Sequence, residues 1–365
     1  MNSINDIFRD FAPDYLHRFG ETMPAQHKKV IEAMVDCRTE VNGSLVYRCE
    51  RCGRDHLLHR GCGNRHCPGC QHHRNRRWME KQLERQLPGH HFMLTFTVPE
   101  PLRDFIRSHQ RSAYAALFAA SSQAIKVLAT NPRFNEGDLP GFFGVLHTWG
   151  RMLQYHPHIH YVVPGGMLAC QTGQWHPTAP QFYLPVAALS KIFRAKFRDR
   201  MHQDGLLNQI PAEVWKCDWN VNSQAVGCPE AAIKYLTPYV FQVAISNTRI
   251  VKVEDGKVFF RYKKSGSNRP RTMALDALEF IRRFLQHVLP TGFMKVRYYG
   301  FLNPNSKVPL EKVRTLVELA YGFVLNEPKM DKKTMPSFLC PHCKGELVYC
   351  YAILPHRQWA GGPSG

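Results

Sequence analysis

The chain has 365 residues, more than a single small core holds, and 44% of them are hydrophobic, enough for two or three packed domains. Its net charge of +19 indicates a polyanionic partner, most simply a nucleic acid. No apolar run approaches the roughly 20 residues of a membrane span, and the first ten residues lack the apolar stretch of a signal peptide. The sequence therefore predicts a soluble, cytoplasmic protein with no membrane partner.

In chain order, residues 1–36 are predicted to be mostly helical, and a stretch rich in Cys, His and Gly follows at 37–70. A basic helix is expected at 71–87, where Pro88 and Gly89 end it. Apolar periodicity then predicts a mixed α+β domain from about residue 90 to 300. Its expected strands are 91–98, 142–149, 158–163, 215–221, 242–253, 257–262 and 294–301, and its expected helices are 100–130, 186–203, 229–236 and 274–288.

The positive charge is clustered, which argues against a uniformly basic, solvated surface. Residues 60–85 carry seven Lys or Arg against two acids, and residues 249–271 carry eight against two. These two stretches are therefore candidate nucleic-acid contacts. The chain also has twelve cysteines, which in a reducing compartment are better candidates for metal ligands than for disulfides.

The cysteines follow a spacing typical of zinc sites. Cys49-x2-Cys52 is followed, fourteen residues later, by Cys67-x2-Cys70. Each Cys-x2-Cys pair is a knuckle, and two knuckles can give four thiolates to one tetrahedral ion. Because four thiolates fill its coordination, such an ion has a structural role and not a catalytic one. The sequence therefore predicts one structural zinc at Cys49, Cys52, Cys67 and Cys70.

Other cysteines and histidines leave alternatives open. Cys62 and His66 lie between the two knuckles, and either could replace a ligand. The C-terminal Cys340-Pro-His-Cys343 is a single knuckle, so its cysteines are either spare or part of a second site. Candidates to complete such a site are Cys350, His342 and His356.

A run of histidines at Tyr155-His-Pro-His-Ile-His-Tyr161 predicts a second kind of metal site. Because side chains alternate along a strand, His158 and His160 face the same side of the sheet. Two imidazoles on Cα atoms about 7 Å apart suit a divalent ion that keeps open positions for substrate oxygens. The third ligand is expected from the neighbouring strand, where His147 is the best candidate, and His156 is its rival.

Two tyrosines downstream are candidate nucleophiles. Tyr235 and Tyr239 are four residues apart, hence on one face if the segment is helical. A tyrosine hydroxyl can attack a phosphodiester and hold the strand covalently, which preserves the bond energy for rejoining. Two tyrosines alone are most often packing residues, but beside a histidine pair they become credible nucleophiles. Pro238 bends or ends a helix before Tyr239, which favours Tyr235 as the primary nucleophile.

Together these motifs resemble the HUH-type rolling-circle insertion-sequence transposases, the bacterial group with an N-terminal zinc-binding domain. The family's HUH motif falls on His158-Ile159-His160, and its tyrosine motif falls on Tyr235 and, where two tyrosines are used, Tyr239. The resemblance runs from Cys49 to about Leu285. It is carried by Asn64-Arg-His-Cys-Pro-Gly-Cys-Gln71, Leu94-Thr-Phe-Thr-Val-Pro99, His147-Thr-Trp-Gly150, His156-Pro-His-Ile-His160, Tyr235-Leu-x-x-Tyr-Val240 and Glu279-Phe-Ile-Arg-Arg-Phe-Leu285.

The resemblance implies an α+β fold: an antiparallel sheet with the histidines on a central strand, flanked by helices, and an N-terminal helical and zinc-knuckle domain. It implies cleavage of single-stranded DNA that leaves a 5′-phosphotyrosine and a free 3′-OH, with Mg²⁺ or Mn²⁺ as catalytic ion beside the structural Zn²⁺. The expected parts are a zinc-binding, DNA-recognising domain over 1–88, a catalytic domain over 89–302 and a tail with a Cys knuckle over 303–365.

The expected partners are single-stranded DNA, transposon ends and target DNA in a bacterial nucleoid. The basic helix at Arg74-Asn-Arg-Arg77 is expected to help recognise a DNA end. No G-x4-G-K-[ST] loop occurs, so a host helicase would have to separate strands. Two alternatives stay open: a replication initiator or relaxase with the same chemistry but no strand transfer, and a non-catalytic zinc-dependent DNA-binding regulator.

Overall fold

The computed structural model describes residues 3–227, 230, 233, 234, 236, 237, 240, 244–264, 266, 267, 269–322 and 338–355. Its helices there are α1 Ile4–Phe19, α2 Ala25–Val35, α3 His72–Glu84, α4 Arg103–Ser108, α5 Gln110–Ala129, α6 Val186–Gln203, α7 Ala277–Leu285 and α8 Leu310–Tyr321. Its strands are β1 Ser44–Cys49, β2 Asp55–His59, β3 His91–Thr97, β4 Gly141–Trp149, β5 Tyr155–Pro164, β6 Gly166–Ala169, β7 Gln174–Pro177, β8 Asn220–Gly227, β9 Ile250–Glu254, β10 Lys257–Lys263, β11 Pro270–Asp276, β12 Val296–Gly300 and β13 Leu347–Ile353.

The predicted α+β class is confirmed by a central five-stranded sheet. Its order is β12-β4-β5-β3-β8, and every neighbouring pair is antiparallel. The histidine-bearing strand β5 is the middle strand, as the resemblance implied. A position in the middle of the sheet fixes the strand on both sides, so side chains on β5 are held rigidly.

The two faces of this sheet are covered differently. Phe96, Leu146 and Ile159 point to one face and share the main hydrophobic core with α5 and α6. Phe143 and Val162 point to the opposite face, in a second buried cluster that includes residues of α3 and α8. Because the side-chain period of a strand is two, the even-numbered histidines of β5 lie on this second face.

The first helix packs against α7, which lies far from it in sequence. A capping box starts α1, since the Ser3 hydroxyl accepts from the Asp6 N–H and the Asp6 carboxylate accepts from the Ser3 N–H. Phe8 of α1 then packs edge-on against Phe284 of α7, with ring centroids 5.2 Å apart. Phe19, the last residue of α1, is 45% exposed and does not take part in this packing.

A small separate sheet joins the two ends of the chain. Its order is β13-β1-β2, so the C-terminal strand pairs with the first strand of the N-terminal hairpin. The sequence predicted neither β13 nor α8. β13 is exposed at six of seven residues and so lacks the alternating pattern of a half-buried strand. α8 has Val313 and Val317 buried one turn apart, a local signal that the sequence prediction overlooked.

Several predicted boundaries are wrong. The strand expected at 215–221 begins only at Asn220, after a 3-10 turn at Ala212–Trp215. A 3-10 turn at Asn247–Arg249 interrupts the strand expected at 242–253, whose residues 241–243 lie outside the described part of the chain. The helix expected from 274 starts at Ala277, because the preceding residues pair with β10 as β11. Among the described helices, none is long and apolar enough to cross a bilayer.

Candidate metal centres and nuclease site

Three histidines meet on the second face of the central sheet. His147 on β4 lies directly across from His158 on β5, and His160 is two residues further along β5. Ring centroids are 5.3 Å apart for His147 and His158, and 4.6 Å apart for His147 and His160. One ring nitrogen from each lies within 4.8 Å of the others. His156 stays outside this group, although its ring lies 5.1 Å from that of His158.

Hydrogen bonds orient the two strand histidines. The His158 Nδ1 lies 2.7 Å from the carbonyl oxygen of His156. A carbonyl can only accept, so Nδ1 carries the proton and Nε2 presents its lone pair. The His160 Nδ1 lies 2.8 Å from the hydroxyl of Thr95 on β3, directly across the strand pair. The carbonyl fixes the tautomer of His158, and the Thr95 hydroxyl fixes the orientation of the His160 ring, as partners of metal-binding histidines do.

Burial keeps these histidines neutral. It lowers the pKa of His160 to about 4. It also holds the pKa of His147 and His158 well below the usual value, and the neighbouring His160 ring lowers both further. Neutral imidazole is the form that binds a metal, so no proton has to leave before an ion binds near neutral pH.

Two further side chains surround the histidines. The Trp149 ring stacks on His147, with centroids 5.0 Å apart. The Lys295 ammonium lies 4.6 Å from the Trp149 ring centroid and is almost entirely buried. Burial lowers the pKa of Lys295 to about 7, and the charged form of its amine lowers the pKa of His147, so the amine lies close enough to the histidine group to interact with it.

Sequence reasoning missed Thr95 and Lys295. Thr95 carried a usable signal, because it alternates with Thr97 as a polar residue on an otherwise apolar strand. Polar residues at alternate positions of a strand indicate that one face of the sheet is not packed on the hydrophobic core. Lys295 carried no signal, since a lone lysine before a strand is ordinarily a surface charge.

The expected nucleophiles Tyr235 and Tyr239, with Pro238, lie outside the described residues. The described residues around them are helical. Among these, Ile233, Leu236 and Val240 are buried in the cluster that covers the second face of the central sheet. A narrow cavity lined by Ile233, Phe143 and Val162 marks where the segment meets the sheet. These three described side chains therefore pack on the face that carries the histidines.

The structure corrects the predicted grouping of the cysteines. Cys49, Cys52, Cys67 and Cys70 do not meet at one point. The first pair lies with Cys340 and Cys343, and the second pair lies with Cys37 and Cys62.

The path of the chain explains the correction. Cys49 ends β1, and β2 runs antiparallel to β1, with Asp55 across from Arg48 and His59 across from Ser44. After the first knuckle, β2 therefore leads the chain away from Cys49. Its five residues span roughly 16 Å. Cys67 and Cys70 follow at the opposite end of the hairpin.

The cluster of Cys37, Cys62, Cys67 and Cys70 has the spacing of a tetrahedral thiolate site. The Sγ atoms of Cys37 and Cys70 are 3.4 Å apart, and those of Cys62 and Cys70 are 3.7 Å apart. Zinc–sulfur bonds of about 2.3 Å place tetrahedral sulfurs about 3.8 Å apart. The Asn5 amide of α1 lies 3.4 Å from Cys67 Sγ, so the first helix is fastened to this cluster.

Of the two alternative ligands between the knuckles, Cys62 lies in a cluster and His66 does not. The His66 Nε2 accepts a hydrogen bond of 3.1 Å from the Leu289 N–H. Burial lowers the His66 pKa to about 3, so the ring is a neutral packing residue between the N-terminal module and residues after α7.

Comparisons with known proteins agree with this architecture. A family model described as "Transposase zinc-binding domain" matches residues 7–98, and one described as "Putative transposase" matches residues 141–308. The chain is 37% identical over 316 residues, 79% of each chain, to "Putative transposase y4qJ" of Sinorhizobium fredii. It is 26% identical over 352 residues, 89% of this chain and 83% of the other, to the transposase for insertion sequence element IS801 of Pseudomonas savastanoi. No solved structure matches the chain.

The structure combines a cysteine-rich N-terminal module with a central antiparallel sheet that carries histidines on its middle strand, and the matched families are those of DNA transposases with a zinc-binding domain. The chain belongs to the HUH-type family of insertion-sequence transposases with an N-terminal zinc-binding domain.

Proposed function

We propose that this transposase cleaves and rejoins single-stranded DNA through a 5′-phosphotyrosine, with Tyr235 as nucleophile. The observation that carries the proposal is the group of three neutral histidines on the second face of the central sheet. Ile233, Leu236 and Val240, which flank Tyr235 in sequence, are buried on that same face. This supports the proposal that the metal site and the nucleophile share one surface.

The histidine group fits a divalent ion such as Mg²⁺ or Mn²⁺. His147 and His160 are buried, His158 is half-buried, and all three have lowered pKa values that keep them neutral. Three ligands leave positions open for phosphate oxygens. When bound, the ion supplies Lewis-acid polarisation of the scissile phosphate. Lys295 lies beside the same group, and a bound phosphate would favour the charged form of its amine, whose pKa burial lowers to about 7.

The covalent step is a transesterification. The Tyr235 hydroxyl oxygen attacks phosphorus, the bond from phosphorus to O3′ breaks, and the proton lost by the phenol is balanced by protonation of O3′. Cleavage therefore yields a 5′-phosphotyrosine and a free 3′-OH, with the number of ester bonds unchanged. A 3′-OH of a second strand then attacks the phosphotyrosine and releases the tyrosine, which joins the strands. Tyr239 is the candidate for a second such cycle.

Structural zinc in the N-terminal domain is proposed at Cys37, Cys62, Cys67 and Cys70. Its sulfur spacing fits a tetrahedral ion, and four thiolates leave no open position for catalysis. The domain carries the first basic cluster on α3, whose described arginines Arg74, Arg76 and Arg77 are exposed or nearly so. We propose that this helix contacts a DNA end.

The second basic cluster lies on the sheet of β9, β10 and β11. Lys252, Arg261 and Arg271 are exposed on it. This sheet adjoins the loop between β4 and β5, because Arg249 donates to the carbonyl oxygen of Arg151 at 2.7 Å. That loop leads directly into the histidine strand. The cluster is therefore placed to hold the phosphates of a strand that enters the site.

Covalent trapping tests the proposal. Single-stranded oligonucleotides that tile the DNA flanking the gene are labelled at the 5′ or the 3′ end and incubated with protein and Mn²⁺. We expect only the 3′-labelled fragments to migrate with denatured protein, because the protein retains the 5′-phosphate. A replication initiator or relaxase would form the adduct without joining it to an unrelated strand. Binding with no adduct on any oligonucleotide would favour the DNA-binding regulator and contradict the proposal.

Thr95 is expected to act as a positioning residue for the ion. Thr95→Val keeps the shape of the side chain but removes the hydroxyl that holds His160 Nδ1. Loss of such a partner lowers metal affinity about 10- to 100-fold. We therefore expect the Mn²⁺ concentration for half-maximal cleavage to rise by about that factor, with little change in the rate at saturation.

Thr97→Val is the matched control for Thr95. Thr97 lies two residues further on the same face and across from His158, whose Nδ1 is held by a backbone carbonyl instead. An equal metal requirement for both variants would show that the Thr95 hydroxyl does not position the ion.

A further inference from the structure

We propose that Cys49, Cys52, Cys340 and Cys343 form a second zinc site, which fastens the C-terminal strand to the N-terminal module. The Sγ atoms of Cys49 and Cys343, 294 residues apart in sequence, are 3.4 Å apart. Those of Cys52 and Cys340 are 3.8 Å apart. All four sulfurs lie within 4.8 Å of one another, close to the spacing of about 3.8 Å between sulfurs on one tetrahedral zinc.

The two knuckles have the same backbone form. After Cys52, Gly53 has a φ of 70° and its N–H donates to the Cys49 carbonyl oxygen at 2.9 Å. After Cys343, Lys344 has a φ of 60° and its N–H donates to the Cys340 carbonyl oxygen, also at 2.9 Å. A lysine in the left-handed region costs conformational energy, so something must hold that turn. A bound ion would supply that restraint.

The backbone closes tightly on the sulfurs. The Gly345 N–H donates to Cys343 Sγ at 3.4 Å. A Cβ at position 345 would lie 2.6 Å from the Cβ of Arg51 and 3.0 Å from Cys49 Sγ, so glycine allows the chain to approach this closely. The His56 Nε2 lies 3.4 Å from Cys340 Sγ and can donate to a thiolate there. Such donors offset the negative charge of four thiolates around one divalent ion.

The sheet that carries these knuckles has almost no apolar core of its own. Four of the five residues of β2 are exposed, and so are six of the seven residues of β13. The side chains of Leu57, Tyr349 and Tyr351 are each more than half exposed. A three-stranded sheet with so little burial needs another source of stability, and a structural metal is the usual one in small modules.

The site differs from the first cluster in what it connects. Cys37, Cys62, Cys67 and Cys70 all lie within the family's zinc-binding domain at 7–98. The second site takes Cys49 and Cys52 from that domain and its other two ligands from beyond residue 308, where neither family model reaches. The N-terminal domain therefore becomes complete only when the C-terminal strand β13 pairs with β1.

Zinc content of the full-length protein tests the proposal. Wild-type protein is expected to hold two zinc ions per chain by metal analysis and native mass spectrometry. Cys49→Ser and Cys340→Ser should each hold one, and the Cys49→Ser/Cys340→Ser double variant should also hold one, because both residues bind the same ion. Cys37→Ser/Cys340→Ser should hold none. Cys350→Ser, an exposed cysteine on the same strand β13, should keep both ions.

Alkylation of the native wild-type protein gives a measurement that needs no variant. Cys52 is exposed, yet it should react with iodoacetamide at least about tenfold more slowly than exposed Cys350, because a zinc-bound thiolate is a poor nucleophile. A chelator should unmask Cys52 and Cys340 together. Two outcomes overturn the proposal: zinc loss in Cys340→Ser no greater than in Cys350→Ser, or loss of both ions in the Cys49→Ser/Cys340→Ser variant.

Discussion

Replacement of His158 or His160 by Ala is expected to abolish DNA cleavage in Mg²⁺ or Mn²⁺. Each substitution removes one of three ligands from a group whose ring nitrogens lie within 4.8 Å of one another. Lewis-acid stabilisation of the transition state is worth several kcal/mol, and its loss corresponds to about a thousandfold or more in rate. We expect the effect in single-turnover cleavage of labelled single-stranded DNA.

DNA affinity should change little in the same variants, since it comes mainly from lysine and arginine contacts with phosphates. His156→Ala is the matched control, because His156 lies on the same strand and face but outside the group of three. It should retain cleavage within about tenfold. Wild-type cleavage that a chelator leaves unchanged, or a His156→Ala loss as large as that of His158→Ala, would contradict the assignment.

Tyr235→Phe is expected to eliminate the covalent protein–DNA adduct entirely. Phenylalanine keeps the ring and its packing but removes the only atom that can bond to phosphorus. Tyr239→Phe should leave the first cleavage largely intact and impair only later strand transfer. The reason for the expected difference is Pro238, which has no N–H to donate to the carbonyl of Lys234 in a helix and is therefore expected to bend or end the helix before Tyr239. The measurement is the yield of denaturation-resistant adduct on 3′-labelled single strands.

Two results would contradict the unequal roles of Tyr235 and Tyr239. Loss of the adduct in Tyr239→Phe alone would reverse the roles of Tyr235 and Tyr239, and loss in both would indicate that the pair acts together in the first step. Tyr262→Phe serves as the control, because Tyr262 lies on β10 within the basic sheet. It should form the adduct at the wild-type yield, which separates loss of a nucleophile from loss of a tyrosine near the DNA.

The sequence by itself determined the histidine pair and most of the core elements. His158 and His160 had to share a face because strand side chains alternate, and that argument needs only two residues and their spacing. The helices at 186–203 and about 71–87 were equally local, since a periodic apolar stripe marks each one and Pro88-Gly89 stops the second. The expected domain boundaries at 88 and 302 stay predictions.

Tertiary structure decided which residues complete each site. His147 joins the pair, and His156 does not, because the register of β4 on β5 sets His147 across from His158. The spacing of the cysteines in the sequence could not show which of them form each cluster. It depends on β2 carrying the chain away from Cys49 and on β13 returning from the far end of the sequence. A knuckle shows that two thiolates act together, but only the direction of the strands shows which other pair they meet.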